Sequence, residues 1–409
     1  MDKKLLNTYR IFDEYEKRFA AARCRHKLRE PWKEHDRNEI KNLVKDVLCF
    51  SDNMIPQISI IDEKTEVHGG IKVTDCMYRS WENFYGIFTL FSPKCDGGRR
   101  PLIFVCPGHG EEGRLTDCYQ EMAFRFAHMG AYVILNDNIG QGSRSCFGHW
   151  DCVAPFYCGL TLQGMIVAET IALIRYAKEL DFVDTDKIGI CGNSGGGTLT
   201  EFLAALEPSI AAVASSGYPS EFPYILQKER MHCACNILRH FAGRLEMWEV
   251  YSLFAPKPLM IHQGSYDHLI PLDYFLRTAR KLSIVYEMMG KKENFRRETT
   301  PTRHSWDEPD FKLLEEFFKK HFNLGEAMER FNPEDMIPIE NLSVRFPDDA
   351  VSTDKAAQII SGKKMLDGTK LEDVFVPLSK GKSINPDEIR TDLGRGSVMR
   401  IWAQFEASL

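Results

Sequence analysis

The sequence contains no apolar run that approaches the roughly 18–20 residues needed to span a bilayer, so no transmembrane helix is expected. The two lysines near its N-terminus are not followed by an apolar segment, which predicts that the chain carries no signal peptide. Its 12 cysteines are scattered along the 409 residues, as is typical of free thiols in a reducing compartment. Together these features favour a cytoplasmic protein.

An excess of charge of one sign is also missing. The net charge is −6 at pH 7, from 52 Lys and Arg against 58 Asp and Glu, and the charges are spread along the chain. This distribution predicts neither a nucleic-acid partner nor attachment to an anionic membrane. The chain does have 44% hydrophobic and 27% charged residues, a composition typical of a soluble globular protein.

Changes in patterning divide the chain into three segments. Residues 1–69 begin with apolar side chains at helical spacing and are assigned to an N-terminal helical arm. A helix–turn–helix DNA module is the alternative for this arm, but no basic recognition face supports it. Residues 70–325 alternate short apolar strands with helical stretches, and an insertion at 218–250 interrupts them. Residues 326–409 are polar and proline-containing, and no fold is assigned to them.

The alternation in the middle segment predicts an α/β fold with a mostly parallel sheet and helices on both faces. Ligands of such sheets bind outside the carboxyl ends of the strands. Two strands are expected within 71–93, and further strands begin near residues 102, 131, 187, 211, 258 and 295. Helices are expected at 117–129, 160–180, 194–206, 272–285 and 307–322.

One strand-to-helix turn carries the first chemical signal. Gly192 and Gly196 flank Ser194 in the pattern G-x-S-x-G, which is the context of a nucleophile elbow. Such a turn exposes the serine hydroxyl and leaves the Gly195 amide at a helix N-terminus, where it can stabilise an oxyanion. A phosphate-binding turn is the alternative, but the P-loop lysine and the G-x-G-x-x-G spacing are both missing.

A general base and an acid should follow the serine in chain order. Asp267 follows a predicted strand, and His304 stands in a loop just before the last helix. His268 and Asp273 are the alternatives: His268 is adjacent to the acid, and Asp273 is expected to open the next helix instead.

The second oxyanion donor is expected in the loop after the first central strand, which reads VCPGHGEEG. There the backbone N–H of His109 is favoured and that of Gly110 is the alternative. The His109 imidazole is expected to line the pocket.

With these residues in place, segment 70–322 resembles an α/β-hydrolase of the acetylxylan-esterase-like group, which is related to the dienelactone hydrolases. The matching motifs, in chain order, are PGHG, NDNIGQGSR, GNSGGGT, HCACN, LFAPKPLMIHQGSYD and RHSW. The resemblance implies that Ser194 is the nucleophile, Asp267 the acid and His304 the base, with the His109 and Gly195 amides in the oxyanion hole. It also implies an esterase, with acetylated sugars or oligosaccharides as candidate substrates.

Four residues are candidates for substrate binding: Gly110, Gln141, Arg144 and His232. In acetylxylan esterases the strand-end loop reads Arg-Gly-Gln, whereas here Ile139 precedes Gly140 and Gln141. Arg144 is the candidate to replace that arginine, and a structural ion pair is its alternative role. His232 is expected to pack the insertion against the pocket.

No metal or cofactor is predicted, because the C-x-C spacing of the HCACN stretch lacks a second pair of ligands and a serine triad needs no metal.

Two other functions share these signals. A serine peptidase of the prolyl-oligopeptidase type has the same triad order, but only about 70 residues precede the core, too few for the usual propeller. A non-catalytic binding protein on this fold would be favoured by the loss of a triad candidate, and all three are present. The C-terminal segment is expected either to wrap the hydrolase domain or to join a second subunit as a homo-oligomer. Its strand-like pieces are LSVRF and VMRIW.

Overall fold

The computed structural model describes residues 20–365, except 22, 95–96, 150–151, 153, 228–233, 240 and 242. In this part of the chain, nine strands form one sheet in the order β1-β2-β3-β5-β4-β6-β7-β8-β9. The strands are β1 Ser59–His68, β2 Ile71–Arg79, β3 Tyr85–Ser92, β4 Arg100–Cys106, β5 Tyr132–Asn136, β6 Val183–Asn193, β7 Ile210–Ser216, β8 Leu259–Gly264 and β9 Phe295–Thr300.

Helices cover both faces of this sheet. They are α1 Glu34–Val47, α2 Asp117–His128, α3 Ala154–Tyr157, α4 Leu162–Lys178, α5 Gly195–Leu206, α6 Phe222–Gln227, α7 Met247–Ser252, α8 Leu272–Met288, α9 Glu308–Phe322 and α10 Thr353–Ser361. Alternate residues of β4 face opposite sides, since Phe104 packs in the core with α4 and α5 while Val105 packs in the core with α2 and α9.

The sheet is antiparallel at one end and parallel through its centre. Strands β1, β2 and β3 pair antiparallel, and β3 also pairs antiparallel with β5. From β5 onward every pair is parallel. The predicted α/β-hydrolase fold with a mostly parallel sheet is therefore confirmed, and the carboxyl ends of β4 to β9 meet at one edge.

Strand β1 departs from the sequence-based assignment, which extends the helical arm to residue 69. Its residues SIIDEKTEVH pair with β2 along their whole length. Most of the strand is exposed, because it has only one neighbour in the sheet, and charged side chains occupy its open edge. With so few apolar side chains, its period-2 pattern was too weak to identify. Helix α1 matches the predicted helical character and buries Ile40 and Val44.

The first part of the C-terminal segment lies on the hydrolase domain. The ring of Phe331 stacks on Phe124 with centroids 5.4 Å apart, and the Ile337 amide donates a 2.8 Å hydrogen bond to the side-chain carbonyl of Gln120. The LSVRF piece, 342–346, forms no strand, and its Phe346 ring instead contacts Phe147. The VMRIW piece lies outside the described residues.

Among the described residues, no helix combines the length and apolar content that crossing a bilayer requires.

Candidate active site

Ser194 occupies a sharp turn between β6 and α5. Its backbone has φ 58° and ψ −117°, a conformation that non-glycine residues rarely adopt and that is typical of strained functional sites. A Cβ added at Gly192 would lie 2.4 Å from the Gly196 carbonyl oxygen, and one added at Gly196 would lie 1.8 Å from that of Cys106. Only glycine therefore fits on either side of the serine.

His304 and Asp267 meet at the same edge of the sheet. His304 lies in the loop between β9 and α9, and its Nδ1–H donates a 2.7 Å hydrogen bond to Oδ2 of Asp267, which follows β8. The Nε2 atom of His304 is buried and has no hydrogen-bond partner within the described residues. The imidazole is thus oriented by a carboxylate at one nitrogen and leaves a lone pair at the other.

The Asp267 carboxyl group is held as an anion. Burial of the carboxyl group raises its pKa. The hydrogen bond and charge of His304 lower this pKa, as do the hydrogen bonds from the amides of Leu269 and Ile270, and these effects together exceed that of burial. The net pKa is below the ordinary aspartate value. Gln263 donates a further 2.6 Å bond to Oδ2. An ionised carboxylate at this position favours a protonated Nδ1 on His304.

The loop after β4 runs close to the elbow. A Cβ at Gly108 would lie 3.0 Å from Cβ of Ser194, so the backbone passes directly beside the serine. The Gly110 amide donates to Oε1 of Gln141 at 3.3 Å. The His109 ring covers the start of α5, since a Cβ at Gly195 would lie 2.4 Å from its Nδ1.

A small cavity of about 10 Å³ lies behind this loop, and the structure brings several predicted residues to it. Its lining includes His109, Gln141 and Gly195, together with His149 and Cys235. His149 was missed by sequence reasoning, because it stands 40 positions from His109 in no recognised motif. Its position just after the loop that follows β5 was the signal that could have identified it.

Arg144 does not reach the site. It is fully buried, and its guanidinium donates to both carboxylate oxygens of Glu169 at 2.7 and 3.0 Å. It also lies over the ring of Phe84. The structure therefore corrects its assignment to substrate binding in favour of the alternative, a structural ion pair. The other candidate, His232, lies outside the described residues.

The two alternatives for the triad positions also lie elsewhere. His268 is exposed, and Asp273 is in the first turn of α8, where it pairs with Arg277 at 3.1 Å.

Comparison with known proteins agrees with this architecture. Residues 51–243 match the acetyl xylan esterase family. YtaP of Bacillus subtilis, whose name describes a hydrolase, is 22% identical over 175 residues. That match covers 41% of this chain and 57% of YtaP, so it spans less than two thirds of the relative.

Solved structures share the fold at low sequence identity. A methylesterase superposes with a TM-score of 0.58 at 20% identity, over 78% of this chain and 72% of its own. A Bacteroides fragilis protein described as an acetyl xylan esterase also gives 0.58, at 15% identity over 73% and 84% of the two chains. A glucuronoyl esterase of Solibacter usitatus gives 0.55, at 12% identity over 71% and 93%.

Proposed function

We propose that this chain, an α/β-hydrolase by fold whose residues 51–243 match the acetyl xylan esterase family, is a serine hydrolase that cleaves carboxylic esters through an acyl-enzyme. The comparisons support a hydrolase that acts on carboxylic ester bonds. The observation that carries the proposal is geometric: a strained serine at an elbow and a carboxylate-oriented histidine stand at one sheet edge. Each group has the property that its role in a serine triad requires.

In this mechanism the Ser194 hydroxyl oxygen attacks the ester carbonyl carbon while Nε2 of His304 accepts its proton. Asp267 stabilises the resulting imidazolium through the Nδ1 hydrogen bond. The tetrahedral intermediate collapses as His304 gives the proton to the leaving alcohol, which departs and leaves the acyl group on the serine. Water, deprotonated by the same histidine, then attacks the acyl-enzyme and releases the acid.

The oxyanion of each intermediate is assigned to the backbone amides of Gly195 and His109. Gly195 contributes the first N–H of α5, where no intrahelical partner is available. Gly110, the alternative to His109, already donates to Gln141, which favours His109. Gln141 then acts by holding the loop, rather than through contact with substrate.

Acetylated sugars and oligosaccharides are the substrates that we propose. The family that matches residues 51–243 is described as acetyl xylan esterase, and the structural neighbours named above are a methylesterase, an acetyl xylan esterase and a glucuronoyl esterase. All three names describe esterases, and none describes a peptidase.

The proposal is tested by turnover of an ester panel together with active-site labelling. The panel contains p-nitrophenyl acetate, acetylated xylo-oligosaccharides and methyl uronates, with aminoacyl anilides as the peptidase control. We expect hydrolysis of acetyl esters, and a fluorophosphonate adduct located on Ser194 by peptide mass spectrometry. Anilide cleavage without ester cleavage, or an adduct on another residue, would contradict it.

A further inference from the structure

Three potential metal ligands meet in the wall of the cavity beside the elbow. Nε2 of His109 lies 3.0 Å from Nε2 of His149 and 3.3 Å from Sγ of Cys235. The three ligand atoms all lie within 4.8 Å of one another. They come from the loops after β4 and β5 and from the insertion, so only the tertiary structure brings them together.

The tautomer of His149 directs its lone pair into this cluster. Nδ1 of His149 lies 2.6 Å from the carbonyl oxygen of Ile139, and because a carbonyl only accepts, Nδ1 carries the proton. Nε2 therefore presents a lone pair toward His109. A histidine that binds a metal typically donates its other ring N–H to a backbone carbonyl or carboxylate in this way.

The cavity also offers room and polar groups for a further ligand. Its volume of about 10 Å³ is about the minimum that can hold one water molecule. Three buried atoms that line it have no hydrogen-bond partner among the described residues: Asn138 Oδ1, Gln141 Nε2 and Gln163 Nε2. A water on a bound ion could donate to Asn138 and accept from a glutamine amide.

The separations are close to those of a tetrahedral site. Bonds of about 2.0–2.1 Å from zinc to nitrogen and 2.3 Å to sulfur imply ligand atoms roughly 3.3–3.6 Å apart. The observed 3.0 and 3.3 Å need outward movements of only a few tenths of an ångström. Without an ion, the His109–His149 contact is an N–H···N hydrogen bond in which Nε2 of His109 donates to Nε2 of His149.

We propose that the reduced protein binds one zinc-type divalent cation through His109, His149 and Cys235. Two imidazoles and a thiolate suit zinc rather than magnesium or calcium. Cys235 is disulfide-bonded in the structure, so the cation and the disulfide are mutually exclusive states of one sulfur. A phosphine reductant cleaves the disulfide to two thiols and becomes the phosphine oxide, with oxygen from water. As the cation binds, the Cys235 thiol loses its proton to the solvent, and the His109 imidazole changes tautomer so that its proton lies on Nδ1 and Nε2 is free to coordinate.

Binding of such a cation would make the position of the oxyanion loop depend on the redox state of Cys235. His109 supplies both a ligand and the proposed oxyanion amide, and its ring lies over Gly195. Binding at Nε2 would therefore fix the position of the loop. The proposal does not rest on the esterase assignment, because the ligand set is independent of Ser194.

The experiment uses Co²⁺ as a spectroscopic probe on the full-length protein, reduced with a phosphine and desalted without oxygen. We expect one Co²⁺ per chain, with a thiolate-to-cobalt charge-transfer band that Zn²⁺ abolishes. His149→Ala and Cys235→Ser should each weaken binding at least tenfold. His35→Ala is the matched control, because it removes the exposed histidine from a second group of potential ligands, His35, Asp36 and Glu39, and it should leave the band unchanged.

The remaining outcomes separate the alternatives. The absence of the band in reduced wild-type protein, or wild-type affinity in both cluster variants, would overturn the site. Equal charge-transfer intensity in oxidised protein would also overturn it, because the Cys235 sulfur would then not be the ligand. Fluorophosphonate labelling of Ser194 is measured in the same samples, so a failed esterase assignment is seen separately from a failed metal site.

Discussion

The indole N–H of Trp306 donates a 2.8 Å hydrogen bond to the hydroxyl oxygen of Ser216. The carbonyl of Ser216 in turn accepts from the Ser194 amide at 3.0 Å. Trp306 stands two positions after His304, and it is buried edge-on against Tyr119. The last residue of β7 therefore holds both the serine turn and the loop that carries the histidine. The sequence analysis assigned a role to neither residue, although Trp306 is the last residue of the RHSW motif.

We predict that Trp306→Phe lowers kcat by about ten- to a hundredfold with little change in KM. The phenyl ring keeps most of the packing but loses the N–H, and a catalytic group displaced by about 1 Å can cost that much. Steady-state kinetics on p-nitrophenyl acetate measure kcat and KM separately. Trp81→Phe is the matched control, since it also removes an indole hydrogen bond, but one to the Met54 carbonyl, which belongs neither to the serine turn nor to the histidine loop. Equal kinetics in the two variants would show that Trp306 does not position the base.

Ser194→Ala should remove ester hydrolysis and leave the fold intact. The hydroxyl is required only as nucleophile, and loss of a triad member typically costs several orders of magnitude in rate. Turnover and the melting temperature are the measurements. Ser283→Ala, which loses a hydroxyl hydrogen bond within α8, should retain full activity. More than a tenth of wild-type turnover in Ser194→Ala would refute the nucleophile assignment.

Asp267→Asn should reduce kcat by about 10⁴-fold, the scale seen when a triad carboxylate is replaced by its amide. The amide cannot hold the imidazolium electrostatically, and it can present an N–H to Nδ1. Asp273→Asn serves as control and also tests the alternative acid, because Asp273 is largely exposed in the first turn of α8. A large loss in the control, with little loss at Asp267, would reverse the assignment.

The lowered pKa of Asp267 predicts a specific loss of stability in acid. A carboxyl group whose pKa is lower in the folded than in the unfolded state stabilises the fold fully above the unfolded value of about 3.9. That contribution disappears as the pH falls through the folded value. The free energy of unfolding should therefore fall more steeply for wild type than for Asp267→Asn below about pH 4. Denaturant titrations from pH 6 to 3 measure this, and parallel curves would contradict it.

Truncation of the C-terminal segment should affect stability rather than chemistry. A chain that ends at residue 365 keeps Phe331 and Ile337 in the core, and it keeps α10, whose Thr353 donates to the Gly148 carbonyl. A chain that ends at residue 325 loses all of these. We expect the second protein to melt several degrees lower than the first, because each buried aromatic or aliphatic side chain contributes about 1.5–3 kcal/mol.

Both shortened proteins should still react with a fluorophosphonate at Ser194. A folded protein ending at residue 325 that no longer labels would show that the segment completes the active site. Light scattering on the same samples tests whether residues 366–409 join a second subunit.

The parallel core was predictable because its signals are local. Each strand is a short apolar run that ends in turn residues, and a chain of such units has few alternative folds. The G-x-S-x-G turn was readable for a related reason, since close approach of Gly196 to Cys106 excludes every side chain at that position. Strand β1 was not predictable, because an exposed edge strand buries too few side chains to show the two-residue alternation of apolar and polar positions.

By itself, the sequence determined which residues stand at strand ends and therefore which could reach one edge of the sheet. Only the tertiary structure decided which of them meet. It brought His304 to Asp267, buried Arg144 against Glu169, and placed His149 and Cys235 beside His109. The physical reason is that hydrogen bonds and ion pairs between loops depend on distances across the fold. The partners in these pairs are 25 to 126 positions apart in the chain, so their contacts leave no periodic pattern in the sequence.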